Sequence, residues 1–162
     1  MYSIDLIQTL FKYNYWSIDQ IRNTLEKMSE EDFVRDMGDG VGSIRDKLVH
    51  IYGAEKIWYE RIQGNMISFP KNEEYSNQES IWSDWDALRK NFLNLVSGMN
   101  EDDIQKKITY KNFKGEPFQQ PIWEILIHVT NHGTYHRGQV GSLIRRATGK
   151  PPITDLAVFF RE

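Results

Sequence analysis

The 162-residue chain contains no cysteine, which removes disulfides, thiolate metal sites, iron–sulfur clusters and a protein thiol nucleophile together. Any metal must rest on histidine, aspartate or glutamate. Proline is scarce at 5 residues and glycine modest at 11, so the collagen-like and low-complexity classes fall away. Neither sign of charge dominates: 20 Lys and Arg stand against 23 Asp and Glu, a net charge of −3. The basic excess that sequence-independent phosphate binding needs is missing, and nucleic acid is not an expected partner. Long apolar runs are missing as well. The amino-terminal stretch is interrupted by Asp5, Gln8 and Lys12, which fits neither a signal peptide nor a membrane span. A cytoplasmic protein without a membrane partner is expected.

What is present is a soluble composition with 40% hydrophobic residues, five tryptophans, eight tyrosines and eight phenylalanines. A chain of this length suits a single domain over residues 1–162 and buries roughly 70% of its extended surface. Apolar residues at Ile4, Ile7, Phe11, Tyr15, Ile18, Ile21 and Leu25 predict a first helix over about 3–27. Gly38, Gly40 and Gly42 mark a loop. Ser43, with Asp46 three residues on, predicts the start of a second helix that runs through Leu48, Ile51 and Trp58 to Gly64.

Residues 65–80 are polar and connective, long enough for a crossover, and a third helix runs from Ile81 to about Gly98. Ile108–Tyr110 and Glu116–Phe118 around Asn112–Gly115 read as a short hairpin. Pro121 sits where a first helical turn tolerates it, and a fourth helix continues to about Ala147. The apolar tail Leu156–Phe160 is expected to dock on the bundle or on a second subunit. A weak internal repeat pairs Met28–Phe33 with Met99–Ile104, and Ile44–Ile51 with Ile122–Val129. Two related helix pairs make a four-helix bundle, although two amphipathic helix starts also resemble each other by chance.

Three of the four histidines, His128, His132 and His136, stand on the fourth helix, and His50 lies near the start of the second. Residues i and i+4 stack one turn apart on a helix, close enough for two imidazoles to grip one ion. A stripe through Ile122, Ile125, Val129, His132, His136, Gln139 and Leu143 places His132 and His136 in the seam expected to face the interior, with His128 on the flank. Metal binding competes with ordinary core histidines bonded to carbonyls. His50 completes a three-histidine set if its helix is a neighbour. Glu-x-x-His, as in di-iron bundles, is absent, because Ile127 follows Glu124 and Trp58 follows Glu55 at that spacing; His-Glu-x-x-His fails because Gly133 follows His132.

The stretch from Ile127 through His128, His132, His136 and Gln139 to Val140 resembles the signature of the DinB family, grouped with YfiT-type metalloenzymes. So do Leu48–Trp58, Pro121 and the closing Thr154-Asp155-Leu156. The resemblance spans essentially the whole chain. It implies an all-α four-helix bundle of the DinB/YfiT type, with a long crossover and a short β-hairpin before the last helix. It further implies a homodimer, DNA-damage-inducible or stress-response expression, and a divalent ion held by His50, His132 and His136, with His128 outside the ligand set.

Relatives in that superfamily use low-molecular-weight thiols to conjugate or isomerise small molecules. The leading expectation is therefore a metal-dependent thiol transferase acting on a small-molecule electrophile, with Zn or Ni as the ion and the thiol as cosubstrate. The alternatives are a metal-dependent hydrolase and a non-enzymatic, stress-induced metal-binding protein. Imidazole ligands alone do not select the metal. Asn131, Tyr135, Arg137 and Gln139 are candidate helpers against a plainer reading as helix-surface side chains, and Arg137 with Arg145 and Arg146 could attract an anionic thiol. The tryptophans are assigned to packing, with Trp58, two turns beyond His50, the exception.

Overall fold

Short polar side chains start most of the helices by accepting amides that have no helical partner. Ser3 caps α1 (Ile4–Leu25), Ser29 caps α2 (Glu30–Val34), and Ser43 with Asp46 forms a reciprocal capping box at α3 (Ile44–Ile62). Asn77 caps α4 (Gln78–Ser97) and Asn100 caps α5 (Glu101–Gln105). The computed structural model describes residues 3–38 and 40–162. The third long helix, α4, starts at Gln78 rather than Ile81. Its first turn, Gln78-Glu79-Ser80, is polar and is set by the Asn77 cap, which hydrophobic periodicity does not register.

Two antiparallel strands follow, β1 (Lys107–Lys111) and β2 (Pro117–Pro121), with Thr109 opposite Gln119. Asn112 Oδ1 accepts from the amides of Lys114 and Glu116, and Gly115 takes φ +82°, which closes the turn. Pro121 is not in the first turn of the last long helix. It is the extended residue before it, with ψ 147°, and ends β2, where a residue without an N–H is tolerated. Then α6 (Ile122–Thr148) runs about 40 Å to a left-handed Gly149, and α7 (Leu156–Phe159) closes the chain.

The four long helices pack with α1 beside α4, α4 beside α3, α3 beside α6, and α6 beside α1. The shared core includes Phe11, Ile18, Leu48, Tyr52, Trp85, Phe92, Leu126 and Val140. Both copies of the internal repeat occupy equivalent places: a five-residue helix, then the start of a long one, α2 before α3 and α5 before α6. The connection 63–77 folds back along α3 before a 3-10 turn (Asn72–Glu74) leads into α4. The tail docks on its own bundle: Phe159 lies 5.7 Å from the rings of Tyr13 and Trp16, and Tyr13 Oη donates to the Thr154 carbonyl at 2.8 Å. Among the described residues, no helix is long and apolar enough to cross a membrane.

Candidate metal centre

The packing of α3 against α6 brings His50 to the two histidines of the longer helix. His50 Nε2 stands 3.2 Å from His132 Nε2 and 3.1 Å from His136 Nε2. Two nitrogens bound at about 2.0–2.1 Å to one tetrahedral ion are about 3.3 Å apart, so the observed separations fit a shared cation. These three residues form a cluster capable of coordinating a metal ion. The ring nitrogens also fit chemically: His136 Nδ1 lies 2.9 Å from Gln139 Oε1, an acceptor only, so Nδ1 carries the proton and Nε2 offers its lone pair to the cluster.

Local electrostatics disfavour the charged form of two of the three rings, His132 and His50. Partial burial lowers the His132 pKa from 6.5 to about 4, helped by His136, His50 and His128 around it. Burial likewise lowers His50, with His136 and Lys47 adding to the effect. Neutral imidazole is the form that ligates metal. In front of His50 and His136 lies a cleft of about 450 Å³ whose walls include Lys47, Phe69, Pro70 and Lys71. Phe69 stacks on the His50 ring at 5.6 Å. It can do so because position 53 is glycine: a Cβ there would stand 2.7 Å from the Phe69 ring and 3.0 Å from Pro70 Cδ.

His128 is not in the cluster. It is exposed, with its ring 5.7 Å from His132 and 5.3 Å from Trp58, so Trp58 does reach the histidine face. The expected stripe is buried at Ile122, Ile125, Val129 and Leu143, but the buried face is wider and also takes in Leu126, Gly133, Arg137, Val140 and Ile144, while His132, His136 and Gln139 sit half-buried on its α3-facing shoulder. Arg137 is therefore not a surface cation. It is 1% exposed and donates to Asn14 Oδ1 and, at 2.9 Å, to Thr134 Oγ1. Arg145 and Arg146 are exposed, the latter on the Met37 carbonyl at 3.1 Å, and Tyr135 is 65% exposed beside His136.

Sequence reasoning missed the network behind the site. Glu55, buried in α3, accepts from Asn14 Nδ2 at 2.7 Å and from Trp85 Nε1 at 2.8 Å. Burial raises its pKa, opposed by the bonds from Asn14 and Trp85, the Arg137 charge and Tyr15. Asn14 thus links a buried acid to a buried base, and the only outward sign was a carboxylate on a face otherwise holding Leu48, Ile51 and Tyr52. Phe69 was also missed, as one of two aromatics, with Tyr75, in a mostly polar connection.

The model of the DinB family matches residues 1–161. Protein DinB of Bacillus subtilis (strain 168) is 26% identical over 161 residues, covering 96% of this chain and 94% of that protein. A DinB-like protein from Bacillus cereus ATCC 10987 superposes with a TM-score of 0.65 at 17% identity, over 89% of this chain and 93% of its own. The colibactin self-resistance protein ClbS, solved with double-stranded DNA, gives 0.59 at 12% identity, over 85% and 93%. The structural likenesses speak for the helical bundle and its hairpin, and the family match runs through every residue of the three-histidine cluster. By sequence over nearly its full length, this chain belongs to the DinB family.

Proposed function

We propose that this chain is a divalent-metal enzyme that transfers or adds a low-molecular-weight thiol to a small electrophile, with His50, His132 and His136 as the protein ligands. The convergence of three Nε2 atoms from two helices, with His50 and His136 lining a cleft, carries the reading. When bound, Zn²⁺ or Ni²⁺ would supply the acidity that turns a coordinated thiol into a thiolate, which suits a chain with no cysteine of its own. Gln139 holds the Nδ1 proton of His136, which fixes the ring's tautomer and orientation. Phe69 and Pro70 wall the cleft with apolar surface that excludes water from one side of His50. Lys47 and Lys71 line the cleft with Glu73 and with Asp46, whose carboxylate is already paired with Arg45 at 3.0 Å, which leaves a lining that favours an anionic thiol.

Elemental analysis of protein purified without a histidine tag should find a transition metal near one per chain. Turnover of small thiols with electrophiles should then require that metal. His136→Ala should abolish stoichiometric uptake while leaving helical content intact. Unchanged uptake rejects the ligand set, turnover without added thiol favours hydrolysis, and a metal that only raises the melting temperature favours a binding protein.

A further inference from the structure

A second chemistry-bearing cluster lies where the hairpin meets α3. Arg61 follows His50 by eleven residues, so both lie on one face of α3, about 16 Å apart along its axis. The Arg61 guanidinium sits 4.6 Å from the Trp58 ring centre, 4.7 Å from Tyr110 and 5.6 Å from Phe113. Contacts through the flat faces of a guanidinium leave its edge for hydrogen bonds. One edge nitrogen donates to the Lys111 carbonyl at 3.1 Å. Arg22, Arg35, Arg45 and Arg89 each pair with an aspartate, whereas Arg61 has no ion-pair partner among the described residues.

This cation borders a cleft of about 250 Å³ walled by Ile57, Met66, Ile67, Lys111 and Phe113. Among the described residues, two cations and no acid line it. The only neighbouring carboxylate of the turn, Glu116, is held by Asn112 Nδ2 at 2.6 Å. Met66 and Phe113 are 70% and 72% exposed, an apolar rim to a charged floor. Partial burial lowers the Arg61 pKa, a desolvation cost that an incoming anion offsets.

We propose that this cleft binds a small carboxylate with an apolar or aromatic body. The carboxylate docks on the free edge of Arg61 with Lys111 at its flank, and the body lies on Phe113, Met66 and Ile67. A planar two-oxygen anion matches the guanidinium edge, and its single charge suits a site with few donors. Clefts for drug-sized ligands measure about 300–1,000 Å³, so the ligand here is smaller. The site is separate from the metal reading and does not rest on it.

The test is a titration of the metal-free full chain by amide NMR, using 4-phenylbutyrate against its uncharged amide, 4-phenylbutanamide. The carboxylate should shift the signals of residues 61, 66, 67 and 111–115 and bind about tenfold more tightly than the amide, the worth of a charge-assisted bond. Arg61→Gln should remove that advantage. Because Arg61 also braces the hairpin, Lys111→Gln supplies a second arm, expected to weaken the carboxylate about threefold while the rest of the spectrum stays unchanged. Equal affinity for acid and amide, no binding of either, or shifts centred on His50 and Phe69 overturns the assignment. With no metal present, none of these outcomes bears on the three-histidine site.

Discussion

Gln139 Oε1 accepts the Nδ1 proton of His136 at 2.9 Å, one turn further along α6. The bond decides which ring nitrogen faces His50. Outer partners of this kind are worth about 10–100-fold in metal affinity. Gln139→Ala should therefore weaken Zn²⁺ binding by about that factor in a chelator competition, with the fold unchanged, whereas Gln139→Glu, which keeps the acceptor, should retain it. Equal affinity of Gln139→Ala and the parent chain would remove Gln139 from the site.

Gly53→Ala tests the wall of the cleft. A methyl at position 53 would collide with the Phe69 ring at 2.7 Å and Pro70 at 3.0 Å. The helix itself gains from losing a glycine, by up to about 1 kcal/mol, so global stability should change little. What should change is access: with Phe69 lifted from His50, carbethoxylation of His50 in the metal-free protein should speed up severalfold, read by mass spectrometry. An unaltered rate would mean that Phe69 does not cover the ring.

The capping box of α3 makes acid sensitivity measurable at one residue. Partial burial by itself raises the Asp46 pKa, but the hydrogen bonds from the Ser43 amide and hydroxyl and the Arg45 guanidinium prevail and hold it below its ordinary 3.8. The folded state thus holds the carboxylate more firmly than the unfolded chain does. This contribution is complete above about pH 4 and is lost as pH falls through the lowered pKa. Denaturant melts should show Asp46→Asn less stable than the parent near pH 7, with the gap narrowing as pH falls below about 4. Ser43→Ala should cost about 1 kcal/mol at neutral pH.

Much of this architecture was legible because helix periodicity, capping residues and glycines act locally. Ser43 with Asp46 announced α3, and Asn112 to Gly115 announced the hairpin turn. The spacing of His132 and His136 put both on one helix and His50 completed the set on the condition that its helix is a neighbour, a condition the family resemblance implied. What stayed hidden depends on which neighbour each shoulder of a helix meets. The widening of the α6 buried face to include Gly133 and Arg137 follows from α1 packing beside that helix, a contact between residues more than a hundred positions apart. Arg137 reads as a surface cation until Asn14 and Glu55 are seen to meet it. Phe69 was invisible for the same reason: its partner is a missing side chain at Gly53.

Gly133 separates a proposed ligand, His132, from that buried network, and a side chain at this position would press on it. A Cβ there would lie 2.6 Å from Asn14 Oδ1 and 2.7 Å from Arg137 Nη1. Gly133→Ala displaces the end of the Asn14 or the Arg137 side chain and strains the bond between them. Overpacking of this kind costs about 1–3 kcal/mol, against a helix-propensity gain of up to about 1 kcal/mol. Removing the acceptor is more severe: Glu55→Leu leaves the donors of Asn14 and Trp85 buried and unpaired, at about 1–3 kcal/mol each. Chemical denaturation of the metal-free protein should order the stabilities as parent, Gly133→Ala, Glu55→Leu, with unchanged m values. A Glu55→Leu chain as stable as the parent would show that apolar packing, rather than the Glu55–Asn14–Arg137 chain, fixes the angle at which α1 meets α6 behind the histidines.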